Sequence, residues 1–139
     1  MEKTETSFGI VHGDAHIDNL EMEEMPDGSY NVSLLDFDQA GHDYFIVDIG
    51  TIVWNANYMM FVDHRLDRIK RIDQFKEWIL ESYGWNTTEE ELKQGCLWRR
   101  EYMYATALGA LATTPKEDPV HSSALKFVAA HRAGLIPSC

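Results

Sequence analysis

His12-Gly13-Asp14-Ala15-His16-Ile17-Asp18-Asn19, answered further along by Leu34-Leu35-Asp36-Phe37-Asp38, are the two stretches on which the fold turns. The short apolar run Ser7-Phe8-Gly9-Ile10-Val11 leads into the first and reads as a buried strand that ends in a loop. Between the two stretches, Leu20 to Met25 alternates weakly and Tyr30 to Leu35 reads as a returning strand. Pro26-Asp27-Gly28-Ser29 separates them as a turn, because Pro presets φ and Gly permits positive φ. The spacing therefore predicts a hairpin whose open ends bring Asn19 and Asp36 together. Gly13 followed by Asp14 argues for a loop and against a helix. His12 and His16 would need a helix to present both rings on one face, which weighs against a transition-metal site built from them with Asp14, Asp18, Asp36 and Asp38.

From Phe45 the period changes. Phe45 to Val62 is apolar nearly all round, as in a central buried helix. Leu66, Ile69, Ile72, Phe75, Ile79 and Tyr83 recur at three- and four-residue steps with charges between them, an amphipathic helix closed by Gly84. Thr88-Glu89-Glu90-Glu91 is a capping-box signal for a third helix, with Leu92, Cys96, Met103, Ala107 and Leu111 on one face. Asp118-Pro119 reads as an N-cap with Pro at the first helical position, opening a helix to about Arg132, with Gly134 beyond. The predicted class is α+β, mainly helical, with residues 1–139 as a single domain and a small β-hairpin at its N-terminal end.

The chain has 139 residues, 12 Lys+Arg against 23 Asp+Glu, and a formal net charge of −11. That acidity argues against a sequence-independent nucleic-acid binder and against an anionic membrane surface, both of which require basic side chains. A hydrophobic fraction of 45% places the chain in the globular class. The polar N-terminus has no signal-peptide core, and Asp48, Asn55 and Asn57 interrupt the longest apolar stretch. Cys96 and Cys139 make no disulfide framework, Cys96 reading as a small core residue and Cys139 as a thiol without a partner. The expectation is a soluble protein of a reducing, cytoplasmic compartment.

Phosphoryl transfer from ATP needs a carboxylate to orient an acceptor hydroxyl and take its proton, and oxygen ligands for Mg²⁺. An Asp followed five residues later by an Asn can serve the acceptor with the first and a metal with the second. An Asp at the end of the returning strand can complete the metal site. The combination His12-Gly13-Asp14-x-His16-x-x-Asn19, hairpin, Leu35-Asp36-Phe37-Asp38 resembles the aminoglycoside phosphotransferase and choline kinase family. Asp48-Ile49-Gly50 resembles that family's short element at the start of a central helix.

The resemblance implies a protein-kinase-like fold, of which this chain carries the C-terminal lobe. It implies ATP as co-substrate, Mg²⁺, and a small-molecule hydroxyl as acceptor. Asp14 resembles the catalytic base, and Asn19 and Asp36 the metal ligands. His12 would brace the loop, and His16 would be a structural loop residue near the phosphates. Asp38 stands either as a metal-supporting residue or as a polar turn residue. Asp48 would be buried and would hold the catalytic loop through backbone hydrogen bonds, with a plain internal N-cap as the simpler alternative. A kinase of this kind also needs a glycine-rich cover and a strand Lys. The nine glycines form no G-x-G-x-x-G, and Lys3 is the lysine that precedes His12. The nucleotide lobe is thus expected to be missing from these residues and to be supplied in cis or in trans. The competing expectation is a non-catalytic remnant that binds a metal or a partner.

An apolar patch is expected where such a lobe would sit, near Phe8, Ile10, Leu20 and Leu34. Trp54, Tyr58, Trp78 and Tyr104 read mainly as core, while Trp98 and Tyr102 with the acids around them form a candidate substrate wall. Arg99-Arg100 reads as a solvated face.

Overall fold

The structure is a computed structural model that describes residues 2–83 and 87–139. Strand β1 (Phe8–Val11) pairs antiparallel with β4 (Gly41–Tyr44), in a register from Phe8 opposite Tyr44 to Val11 opposite Gly41. Strands β2 (Leu20–Glu24) and β3 (Tyr30–Leu34) form a second antiparallel pair, Leu20 opposite Leu34 and Glu24 opposite Tyr30. Four helices follow: α1 (Ile46–Val62), α2 (Arg68–Ser82), α3 (Glu89–Thr113) and α4 (Pro119–Arg132). The molecule is mainly helical, as the change of period implies. The expected stop of α2 at Gly84 lies outside the described residues.

Local chemistry sets these boundaries. At the β2–β3 turn the Asp27 carboxylate accepts from the Ser29 N–H at 3.0 Å and the Ser29 hydroxyl at 2.6 Å. This bends the chain where Gly28 has φ +80°. Helix α3 opens with a reciprocal capping box between Thr88 and Glu91. Helix α4 opens with Asp118 accepting from the Val120 N–H at 2.8 Å, ahead of Pro119.

Strand β4 is the element the sequence reading lacked. Gly41-His42-Asp43-Tyr44 shows no apolar alternation, and its strand character comes from the β1 edge it completes. The pairing matters because it draws the two ends of segment 12–40 together beside the start of α1.

The core lies between α1 and α3 and includes Ile46, Ile49, Val53, Trp54, Leu92, Cys96 and Ile136. Full burial of each large aliphatic side chain contributes about 1.5–3 kcal/mol. The C-terminal tail folds into this core. The Trp54 indole N–H donates to the Pro137 carbonyl at 2.9 Å, and Asn57 Nδ2 donates to the Ser138 carbonyl at 2.6 Å. Cys139 is thereby brought against Cys96, with Cα atoms 5.7 Å apart and the two sulfurs in contact. This corrects the reading of Cys139 as an unpartnered thiol. The two residues are far apart in sequence, and it is the return of the tail that joins them. Trp78 is also corrected: it lies on the exposed face of α2.

Helices α1 and α3 cross in backbone contact at Gly50 and Gly95. A Cβ on Gly50 would run into the Gly95 backbone, and one on Gly95 into the Ile46 carbonyl. This close approach brings α3 against the segment that carries His12 to Asn19.

Apolar side chains lie open to solvent on the strands and their connections: Ile10, Met22, Val32, Leu34, Leu35 and Phe37. Ile10 and Leu34 belong to the expected patch, whereas Phe8 and Leu20 are half-buried. Among the described residues no helix is long and apolar enough to cross a membrane.

Candidate functional site

The loop from His12 to Asn19 is held at both ends. At its start Asp48, in the first turn of α1, accepts from the backbone N–H groups of His12 (2.7 Å, Oδ2) and Gly13 (2.8 Å, Oδ1). Gly13 has φ +82°, and a Cβ there would collide with the Gln39 carbonyl. A side chain is excluded at that point both by conformation and by space. Asp48 is half-buried and paired, and it does not act as the N-cap, which is Phe45.

His12 is buried and stacks against Phe37, ring centroids 4.5 Å apart. Its Nε2 lies 2.8 Å from the Leu35 carbonyl, and its Nδ1 accepts from the Asp14 N–H at 3.3 Å. The proton on His12 therefore sits on Nε2, and the ring ties the first stretch to the second. At the far end of the loop the Leu35 N–H donates to the Asn19 carbonyl at 2.9 Å, so Asp36 follows one residue from a bond to Asn19. Asn19 is buried, and its Nδ2 donates to the Asp14 carbonyl at 3.0 Å.

Asp14 is the most heavily engaged carboxylate of the segment. Its Oδ1 lies 2.6 Å from Arg99 Nη2, and its Oδ2 accepts from Gln39 Nε2 at 3.2 Å, with His16 Nε2 at 3.5 Å. His16 caps the 3-10 turn Ile17–Asn19, accepting from the Asp18 N–H. Gln39 is oriented in turn by the Tyr102 hydroxyl, which donates to its Oε1 at 3.0 Å. Arg99 lies over the Tyr102 ring, 5.4 Å from the centroid.

Arg99 overturns the reading of a solvated face: it is 4% exposed. Arg100 does point outward, to Glu101. The signal for Arg99 was present in the sequence, because it falls between Cys96 and Met103 on the apolar face of α3 at the required steps. A charge on such a face must be paired. Gln39 had no such signal, since its partners come from Asp14 and from α3.

Asp36 has φ +61° and ψ +69°, a left-handed conformation unusual for a non-glycine residue. Strain of this kind, of order 1–3 kcal/mol, persists where the surroundings enforce it, and it clusters at functional sites. Among the described residues the Asp36 and Asp38 carboxylates have no hydrogen-bond or ion-pair partner. Asp38 lies in the first turn of the 3-10 segment Phe37–Gln39, fully at the surface.

Asn19 and Asp36, the latter exposed, carry oxygens of the kind Mg²⁺ takes. Asn19 uses its Nδ2 on the Asp14 carbonyl, leaving Oδ1 as the amide's free acceptor, and Asp36 offers an unengaged carboxylate. Mg²⁺ is commonly held by one or two such groups with substrate phosphates completing the shell. No cluster of three or more His, Cys, Asp or Glu that would by itself hold a metal exists among the described residues.

Between β4, the start of α1 and α3 lies a cleft of about 700 Å³ lined by Asp43, Tyr44, Val47, Trp98, Glu101 and Tyr102. Trp98 and Tyr102 stack in parallel, 5.4 Å between centroids, and both are open to solvent. The Glu101 carboxyl is held below its ordinary value by hydrogen bonds from Arg100 and His131.

A loop latched by Asp48 thus carries an Asp and an Asn five residues apart, and a returning strand delivers a further Asp next to its end. The model of the phosphotransferase enzyme family matches residues 3–85, and the chain belongs to that family. No curated protein matches the chain.

Proposed function

We propose that this chain supplies the acceptor and metal half of an ATP-dependent phosphotransferase that moves the γ-phosphoryl group to a hydroxyl of a small molecule. The observation that carries the reading is the latched loop, with Asp14 and Asn19 fixed on it and left-handed Asp36 one residue beyond the Leu35–Asn19 backbone bond.

Asp14 orients the acceptor hydroxyl and takes its proton on Oδ2 as the oxygen–phosphorus bond forms and the bond to the leaving ADP breaks. Asn19 and Asp36 would hold Mg²⁺, which when bound supplies neutralising charge to the phosphate oxygens. His12 keeps the two stretches in register, and Asp48 fixes the loop's entry. The acceptor would lie against Trp98 and Tyr102. The scaffold reads as the C-terminal lobe of a kinase-like fold, in a cytoplasmic setting.

A second reading is favoured by the exposed apolar strands. With Ile10, Met22, Val32, Leu34 and Phe37 open, the same residues would serve as a metal- or partner-binding module without turnover.

ADP release separates the two readings. The chain is incubated with ATP, Mg²⁺ and a panel of hydroxyl acceptors, alone and with a glycine-rich nucleotide lobe supplied in cis or in trans. These 139 residues contain no G-x-G-x-x-G, so turnover near background is expected for them alone. Acceptor-dependent turnover is expected once that lobe is present, and Asp36→Asn should abolish it. Turnover in neither form would favour the second reading. Turnover indifferent to Asp36→Asn would remove the assignment of the metal site.

A further inference from the structure

Arg99 is the feature the phosphotransfer chemistry leaves unexplained. A guanidinium keeps its charge at every accessible pH, and burying one without an anion is costly. Among the described residues Asp14 is the carboxylate that Arg99 meets, and its Nε and Nη1 groups are buried without an acceptor. The 2.6 Å contact is electrostatic more than directional, since Asp14 Oδ1 receives no aligned hydrogen bond. The placement is built into the helix crossing. Gly95 meets Gly50 in backbone contact, and Arg99 follows one turn later on α3, where it reaches across to the loop.

We propose that Arg99 is a positioning residue of the site, holding Oδ1 of Asp14 so that Oδ2 is presented to the acceptor and Asp14 is withheld from the metal. The inference rests on the reading of Asp14 as the acceptor-side base.

A free carboxylate close to Asn19 and Asp36 would be a third oxygen ligand for a divalent cation, and a base engaged by the metal loses its affinity for the acceptor proton. Arg99 neutralises the Asp14 charge from the buried side and occupies one oxygen. The other oxygen meets Gln39 Nε2 at 3.2 Å and, more loosely, His16 Nε2 at 3.5 Å. The Tyr102 hydroxyl fixes that amide, and Tyr102 also lines the cleft. Asp14, Arg99, Tyr102 and Gln39 thus close a ring that joins the cleft wall to the carboxylate.

The test uses Mn²⁺ as the probe, titrated into the full chain and into Arg99→Met, Arg99→Lys and the double variant Arg99→Met/Asp14→Asn. Loss of the guanidinium is expected to tighten Mn²⁺ binding about tenfold, because a carboxylate regains its full field at short range. Adding Asp14→Asn should reverse the gain, and Arg99→Lys should keep wild-type affinity because the charge remains. Thermal unfolding gives a second readout. Asp14→Asn strands the guanidinium and should lower Tm by about 5 °C or more, and adding Arg99→Met should recover at least half of that loss.

Wild-type binding that Arg99→Met leaves unchanged overturns the proposal and spares the functional reading. Mn²⁺ binding by Arg99→Met through Asp14, with none in the wild type, supports the proposal and removes the assignment of Asn19 and Asp36. Binding by neither removes both. Losses of Tm that simply add in the double variant contradict the pairing on which the proposal stands.

Discussion

In the β2–β3 hairpin every residue but Leu20 is exposed, whereas along α1 and α3 Val53, Trp54, Leu92 and Cys96 are sealed from water. The two regions lie side by side and are held by different forces. The helices are joined by apolar burial and by a crossing that tolerates no side chain at Gly50 or Gly95. The hairpin and the loop from His12 to Asn19 have little apolar burial of their own. The hairpin keeps its shape through its own ladder and the Asp27–Ser29 turn, whereas the loop is shaped by polar groups that reach out of the helices: Asp48 to the His12 and Gly13 backbone, Arg99 to Asp14, and Tyr102 to Gln39 beside it. The loop's geometry is thus borrowed from a core it does not belong to.

The helical region is most vulnerable at the crossing. Gly95→Val drives a branched side chain into the Ile46 backbone, where only separation of α1 and α3 can relieve it. A loss of about 3 kcal/mol or more is expected in urea unfolding. Asp14 should lose its Arg99 contact at the same time, since Arg99 lies one turn from Gly95. A loss within about 0.5 kcal/mol would show that the helices are not in contact there.

Asp48→Ala acts on the borrowed geometry directly. It removes the charged acceptor of two backbone N–H groups in a half-buried setting, at an expected cost of about 2–4 kcal/mol. Hydrogen exchange should locate the damage: the His12 and Gly13 amides lose protection while the amides around Val53 and Leu92 keep theirs. Equal loss at both places would mean that loop and core form one cooperative unit.

The smallest effect belongs to the surface of the helical region. Glu101 is held below its ordinary value first by Arg100 and then by His131. A depressed carboxylate contributes stability that is fully present above the unfolded-state value and lost as pH falls through the folded-state value. Its side chain is half exposed, so solvent screening keeps the contribution under about 1 kcal/mol. Glu101→Gln should slightly flatten the loss of stability on acidification below about pH 5. A large change would mean that the α3–α4 surface carries more of the fold than its exposure allows.

The sequence carried unequal amounts of information about the two regions. The hairpin that draws the stretches of Asn19 and Asp36 together is legible because a turn signal marks it; the roles proposed for Asp14, Asn19 and Asp36 rest on the motif they resemble. The helices are legible through period, the Thr88–Glu91 box and Asp118-Pro119. Gln39, Arg99 and β4 belong to the interface between regions, and each takes its role from a partner remote in sequence. Arg99 alone left a trace, as a charge on the apolar face of α3. The Gly50–Gly95 crossing left none, because a glycine required by close approach looks in sequence like any other.

If the latched loop and Asp36 form one cation-binding, acceptor-facing site, a bound paramagnetic ion lies nearest Asn19 and Asp36. Paramagnetic broadening by Mn²⁺ in ¹H–¹⁵N spectra of the labelled chain tests it most directly. Signals of Asn19 and Asp36 should broaden first, those of Asp14 and Gln39 next, and those of Val128 on α4 not at all at the same metal ratio. Broadening centred on Asp43 and Glu101, with Asn19 and Asp36 untouched, would contradict it.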